Sequence, residues 1–350
     1  MVDRPPDKEI LRVEIMRKEY KKPGYYERLA NTLDYKSIKE MTYLAIKYKN
    51  LEALRGLIKA NIYAATDALD TEEGVRFFSE KSKEIGDIMP EIYFFIRRPI
   101  SDKYKHIFRR LARQSILKQS LKISSRGIKG TFKKTIPYYQ IGMPEFDVDK
   151  TILQNPLKIY NQTLNYKDIF GIKRERQKRN AVLILDTSGS MYGRLLLNAA
   201  LTTSVLAYHM EKENYSIILF NSTGMVLKKI NEQKPIAKII DEILDSEAVG
   251  FTNIYAGLEK GLKELNKIEI NSKSKFGILI TDGNYNRGEN PVGIAKKYPK
   301  LYVIGIPAEN DAAKGMKICR ELAKAGRGKF YSVNNYKEIP RALINLLSYT

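Results

Sequence analysis

Three separated pieces of this chain carry the donors for one metal site. Asp186-Thr187-Ser188-Gly189-Ser190 follows the apolar run Ala181–Leu185. Gly250-Phe251-Thr252-Asn253 opens a later helical pattern, and Thr281-Asp282-Gly283 closes a second apolar run, Phe276–Ile280. From these pieces Asp186, Ser188, Ser190, Thr252 and Asp282 offer two carboxylates and three hydroxyls, all hard oxygen donors. Such a set suits Mg²⁺, which prefers octahedral oxygen coordination and keeps several waters; Mn²⁺ is the expected substitute. Zinc or copper would call for His or Cys, and neither accompanies these pieces.

The spacing has a physical reason. Asp186, Ser188 and Ser190 alternate along a chain leaving a strand, so their side chains can point the same way. Gly189 between the serines lets the backbone turn tightly beneath an ion. Open parallel sheets bind ligands outside the carboxyl ends of their strands, where the strand order reverses. Asp186 and Asp282 both stand at such ends, and their carboxylates converge if the two strands are neighbours. The competing reading makes Ser190 or Thr252 a helix N-cap and Asp282 a turn residue before Gly283.

The three pieces resemble the metal-ion-dependent adhesion site of von Willebrand factor A domains, D-x-S-x-S followed by a Thr and then an Asp. All five positions match in the family's order, and the resemblance extends over about Asn180–Thr350. It implies that the five residues hold the ion directly or through water, and that a partner's Asp or Glu fills a remaining position.

The elements needed to position the site can be read around it. Ala181–Leu185, Phe276–Ile280 and Leu301–Ile306 read as buried strands, and Lys329–Val333 as a short one. Tyr215–Phe220 and Met225–Lys229 flank Asn221-Ser222-Thr223-Gly224, a hairpin signal. Arg194–Glu211, Pro235–Leu244, Asn253–Leu265, Asp311–Ala323 and Glu338–Leu347 read as helices. The first of these is apolar almost all round, as a core helix is. Strands alternating with helices predict a doubly wound α/β domain with a mostly parallel six-stranded sheet covered on both faces.

Length and composition bound the rest. With 350 residues, two domains are expected: a mainly helical basic domain over 1–120, an extension with short strands over 121–179, and the metal-site domain over 180–350. No apolar run reaches the roughly eighteen residues of a membrane helix, and the first residues lack a signal-peptide core. Cys319 is the single cysteine, which excludes an intrachain disulfide and fits a cytoplasmic protein. It sits on an apolar helix face, where packing is its expected role.

The net charge is +21, and the surplus concentrates in the first half. Residues 101–140 hold eleven Lys and Arg against one acidic residue. A second cluster, Lys173–Arg179, precedes the first strand of the metal-site domain. Charge at this density suits nucleic-acid phosphates or an acidic protein face, or simply a solvated surface.

The first half reads as helical. Ser37–Lys49 carries Ile38, Met41, Leu44, Ala45 and Tyr48 at helical spacing, and Leu51–Ala65 follows. A further helix starts at Thr71, and Asp102–Gln119 shows an apolar stripe of Tyr104, Ile107, Phe108 and Leu111 opposite its basic face. Loop signals fill 124–130, and Glu145–Ile152 alternates like a strand. The order of a basic helical region, Asp147-Val148-Asp149-Lys150-Thr151 and then the metal-site strand resembles von Willebrand A proteins that work beside MoxR-type AAA ATPases.

No general base stands in the motifs, no Walker A or dinucleotide fingerprint occurs, and His106 and His209 lie elsewhere. The expected function is therefore non-catalytic: a Mg²⁺-dependent interaction protein, adaptor or co-chaperone to an AAA ATPase that remodels a client. The alternative is an RNA-binding protein resembling the Ro autoantigen class, with nucleic acid held by the basic residues 101–140.

Overall fold

A computed structural model of the chain describes residues 7–19, 22–85, 88–124, 132–135, 138–140, 145–176, 179–191, 194–211, 213–246, 249–268, 275–308, 312–334, 338 and 342. The expected loop at 124–130 lies outside these residues except for Ser124. So does most of the expected terminal helix Glu338–Leu347, and so do most side chains of the Lys173–Arg179 cluster.

The regular elements described in the N-terminal half, up to Ser124, are helices: α1 (Asp7–Arg17), α2 (Pro23–Ala30), α3 (Tyr35–Lys47), α4 (Leu51–Ala60), α5 (Ile62–Leu69), α6 (Glu72–Ile85), α7 (Met89–Ile96) and α8 (Asp102–Ser124). Short polar residues set several starts. Asp34 accepts from the Ser37 amide at 3.0 Å and Asn50 from the Ala53 amide at 3.1 Å, each cap being worth about 1 kcal/mol. The continuous helix expected over Leu51–Ala65 is two helices. The N–H of Asn61 closes α4 on the Leu57 carbonyl, while its side chain accepts from the Ala64 amide and opens α5.

Between the halves lie β1 (Phe132–Thr135), β2 (Glu145–Phe146), α9 (Val148–Gln154), α10 (Pro156–Tyr160) and β3 (Gly171–Arg176). The strands form a small antiparallel sheet in the order β1-β3-β2. The strand expected over Glu145–Ile152 stops after Phe146. Asp147 caps α9 by accepting from the Lys150 amide at 2.9 Å, so a local side-chain bond overrides the alternation. The Thr151 hydroxyl then takes the Phe170 amide at 2.9 Å.

The C-terminal half contains β4 (Asn180–Asp186), α11 (Arg194–His209), β5 (Asn214–Phe220), β6 (Gly224–Lys228), α12 (Ile236–Leu244), α13 (Ile254–Asn266), β7 (Lys275–Thr281), α14 (Val292–Ala295), β8 (Leu301–Gly305), α15 (Ala312–Ala325) and β9 (Arg327–Ser332). Six strands form one sheet in the order β6-β5-β4-β7-β8-β9. All neighbours are parallel except the β5–β6 hairpin at one edge. The doubly wound α/β architecture expected from the sequence is present. Central β4 is buried on both faces, as parallel strands under helices must be. Ala181, Leu183 and Leu185 face one core cluster, and Val182 and Ile184 face the other.

The first of those clusters runs without a break into the helical half, where it includes Leu54, Phe78, Tyr93 and Phe108. Helices α7 and α8 pack on α11, and α8 also meets α12. Polar bonds pin this contact. Tyr93 donates to Asp245 Oδ1 at 2.5 Å, and Arg109 donates to Asp245 Oδ2 at 2.6 Å. Arg113 reaches Asp241 at 2.5 Å, and buried Arg97 donates to the Leu244 carbonyl. Two members of the basic stretch on α8, Arg109 and Arg113, thus face the other half of the protein instead of solvent phosphate.

Two outcomes follow from these contacts. Asp245→Ala leaves Tyr93 and Arg109 without their shared acceptor and lowers the unfolding free energy by about 2 kcal/mol; a urea titration with an unchanged midpoint would refute this. The second concerns Lys228, which is 4% exposed and donates to the Tyr215 carbonyl at 2.6 Å. Burial pulls its pKa down from 10.5 to about 8. Between those values the unfolded chain holds more protons, so stability rises with pH across that window. Relative to Lys228→Met, the protein gains stability as pH climbs from about 8 to about 10.5; a difference that stays flat in chemical denaturation would contradict this.

Candidate metal centre

The register of β4 against β7 builds the site. Leu185 pairs with Ile280, so Asp186 emerges beside Thr281, and Asp282 follows on the same edge. The chain runs from β4 outward through β5 and β6, then crosses back to β7, β8 and β9 on the other side. Asp186 and Asp282 therefore stand at the carboxyl ends where the winding reverses.

Asp186, Ser188 and Asp282 are fully buried, and Thr252 is 1% exposed. Asp186 Oδ1 accepts the Ser188 amide at 2.9 Å and the Ser188 hydroxyl at 2.6 Å. Its Oδ2 accepts the Thr281 hydroxyl at 2.5 Å. The Ser188 and Ser190 hydroxyls are 3.1 Å apart, and Ser190 lies 3.4 Å from the Thr252 hydroxyl. Asp282 Oδ1 accepts the Asn284 amide at 2.9 Å, while its Oδ2 is buried with no hydrogen-bond partner. The structure brings the donors expected from the sequence to one place.

The loops are also held by backbone and capping bonds outside the donor set. Ser190 sits in a single 3-10 turn, Gly189–Met191, ahead of α11. The Gly189 amide donates to the Gly250 carbonyl at 3.0 Å, tying the first loop to the third donor's loop. The N-cap of α13 is Asn253, whose side chain accepts from the Ala256 amide at 3.0 Å. Thr252 is thereby released from capping. Its own amide donates to Asn286 Oδ1 at 2.9 Å, and its carbonyl accepts from the Asn286 and Arg287 amides. Asp282 does make the turn bond anticipated by the competing reading, but with one oxygen only.

The electrostatics ask for a cation. Burial raises the Asp186 pKa to about 7, with the charge of Asp282 adding to it and the hydroxyls of Ser188 and Thr281 opposing. Burial also raises that of Asp282, against the Asn284 amide. Two carboxylates in low dielectric, one with an unpaired oxygen, are costly as bare anions. A divalent ion beside them removes that cost, and the donor set is oxygen throughout. Among the described residues no group of three or more His, Cys, Asp and Glu forms another candidate. Cys319 is buried nearby, with its thiol pushed up by burial, in keeping with a packing role.

Sequence reasoning assigned no role to Thr281, Asn286 or Arg287. Thr281 adjoins Asp282 in the motif piece, and that adjacency was the available signal. Asn286 and Arg287 are contributed by a loop with no pattern of its own. Arg287 is exposed, and its guanidinium stands 5.9 Å from the centre of the Phe251 ring.

Gly283 has φ +79° and no room for a side chain: a Cβ there would lie 2.1 Å from the Gly315 carbonyl oxygen and 2.8 Å from Cys319 Sγ. Gly283→Ala is expected to cost about 2 kcal/mol or more through strain and displacement of this loop. A thermal unfolding midpoint equal to that of the parent would show the turn is not under this constraint.

The family description of the von Willebrand factor type A domain matches residues 180–344. Inter-alpha-trypsin inhibitor heavy chain H3 from Pongo abelii is 30% identical over 121 residues, which is 32% of this chain and 14% of that protein. Its Rattus norvegicus counterpart is 26% identical over the same length. The chain thus spans about 14% of the length of the curated relatives it matches. An aerotolerance-related membrane protein from Bacteroides fragilis shares 21% identity at a TM-score of 0.40, over 49% of this chain and 100% of that one. Proximal thread matrix protein 1 from the mussel byssus, solved with a zinc-occupied adhesion-site motif, shares 18% identity at 0.39, over 49% and 47%. The C-terminal half of this chain, residues 180–344, is a von Willebrand factor type A domain.

Proposed function

We propose that the protein is a Mg²⁺-dependent protein-interaction module without chemistry of its own. The observation that carries this reading is the convergence of Asp186, Ser188, Ser190, Thr252 and Asp282, with Asp282 Oδ2 buried and unpartnered. These five residues would hold the ion, and Mn²⁺ would serve in its place. The ion supplies positive charge that a partner's Asp or Glu can share.

On this reading the partner is an acidic protein surface, consistent with the net charge of +21. The order of helical region, Asp147–Thr151 segment and metal-site domain supports an adaptor or co-chaperone role beside an AAA ATPase. In the fold, Asp147 and Thr151 also serve local structure, through the α9 cap and the Phe170 amide. The RNA-binding alternative draws on the basic residues 101–140. Its support is reduced because Arg109 and Arg113 are engaged by Asp245 and Asp241. Among the described residues no helix is long and apolar enough to cross a membrane.

Calorimetry tests the reading at its base. Mg²⁺ and Mn²⁺ should each bind, and Asp186→Ala or Asp282→Ala should abolish the signal. Divalent-ion binding that persists in both variants would remove the basis for the proposal.

A further inference from the structure

A groove of about 540 Å³ opens beside the candidate metal centre and runs towards α12. Apolar side chains line part of it, Leu219 on β5, Met225 and Leu227 on β6, and Val249 from the loop before Thr252, among polar ones that include Asn221 and Thr223. Leu219 and Met225 are paired across the hairpin, so their side chains share one face of the sheet. Met225 is 57% exposed and Val249 45%, although both are large apolar groups.

The groove is continuous with the metal loops. Thr187, the residue between Asp186 and Ser188, lines its near end together with Asn221. Thr187 is fixed there, because its amide and hydroxyl both donate to the Phe220 carbonyl, at 2.7 and 3.0 Å. The Val249 amide donates to the Thr187 carbonyl at 3.1 Å. That bond ties the loop that carries the groove wall to the loop that carries the ion's donors.

The far end has no charge to offer. Glu242 Oε2 accepts Lys234 at 2.6 Å, and the two oxygens of Asp245 are taken by Tyr93 and Arg109. The two carboxylates of the groove are thus each paired with a cation of this chain, and an apolar side chain entering it would cover Met225 and Val249.

We infer that this groove receives a large apolar side chain from an acidic partner segment whose carboxylate meets the metal ion. The occupant is one short stretch of a partner protein, with an Asp or Glu followed or preceded closely by Leu, Ile, Met or Phe. The inference rests on the Mg²⁺-dependent reading given above and adds the specificity element to it. The ion alone would accept any exposed carboxylate; the groove restricts the choice to carboxylates with an apolar neighbour.

Short peptides with a fixed central Asp and all other positions randomised, displayed on phage, provide the probe. They are panned on the full chain in Mg²⁺ and eluted with EDTA, while Mg²⁺ binding is measured separately by calorimetry. The expected pool carries a large apolar residue at a constant short offset from the Asp. A selected peptide should bind Met225→Ser plus Val249→Ser about ten-fold more weakly, with Mg²⁺ binding of that variant unchanged. An EDTA-eluted pool without apolar preference, or peptides indifferent to the two substitutions, overturns the groove assignment while leaving the metal-dependent reading standing. Mg²⁺ binding without any EDTA-dependent enrichment also overturns it. Absence of Mg²⁺ binding in the parent chain overturns the underlying reading, and the groove assignment with it.

Discussion

The parallel pairing of β4 with β7 is the constraint on which the rest of the C-terminal half depends. It sets Asp186 beside Thr281 and brings Asp282 to the same edge. Slipping this pair by one residue would turn the alternating side chains of β4 to the opposite faces and part the two carboxylates. Both core clusters oppose such a slip, since Leu183 and Ile184 have partners on opposite sides. The apolar packing thus holds together two acids that repel each other. The hydroxyls of Ser188 and Thr281 moderate that repulsion at Asp186. At Asp282 Ser190 and Asn284 oppose the effect of burial, although Oδ2 makes no hydrogen bond.

The candidate site's donors and the alternation of the second half were legible in the sequence because their signals are local. Continuous apolar runs ending in Asp mark buried strands with a polar carboxyl end, and D-x-S-x-S places three donors within five residues. What was not legible depended on competition or distance. Thr252 and Asn253 are both able to cap α13, and only the fold decides that Asn253 does so. Asp147 converts an alternating segment into a helix through one bond to the Lys150 amide. Asn61 splits an uninterrupted apolar pattern in the same way. In each case a short polar side chain satisfies a backbone amide, an effect that hydrophobic periodicity does not register.

Distance hid the rest. The sequence left the basic face of α8 open to phosphate, an acidic protein face or solvent, because its acceptors lie 136 and 128 residues further along the chain. Asp241 lies within α12 and Asp245 just beyond it, and no local motif marks either as an acceptor. The groove beside the metal centre is likewise assembled from β5, β6, α12 and a loop, with no contiguous motif. The loop of Asn286 and Arg287, which grips the backbone of Thr252, has the same character.

Asp245 belongs to two structures at once. It lines the far end of the groove, and it accepts from Tyr93 and Arg109 of the helical half. A load applied to α7 or α8 therefore reaches the wall of the groove as well as α11 and the sheet behind it. Because Asp241 and the Leu244 carbonyl are gripped by the same pair of helices, the load is shared along α12 and not concentrated on a single bond. The molecule has a handle in the helical half and a socket in the groove, linked through α12 as well as through the apolar packing of α7 and α8 on α11. Traction on the helical half would reach the socket through that linkage, along a shorter route than the backbone between the halves.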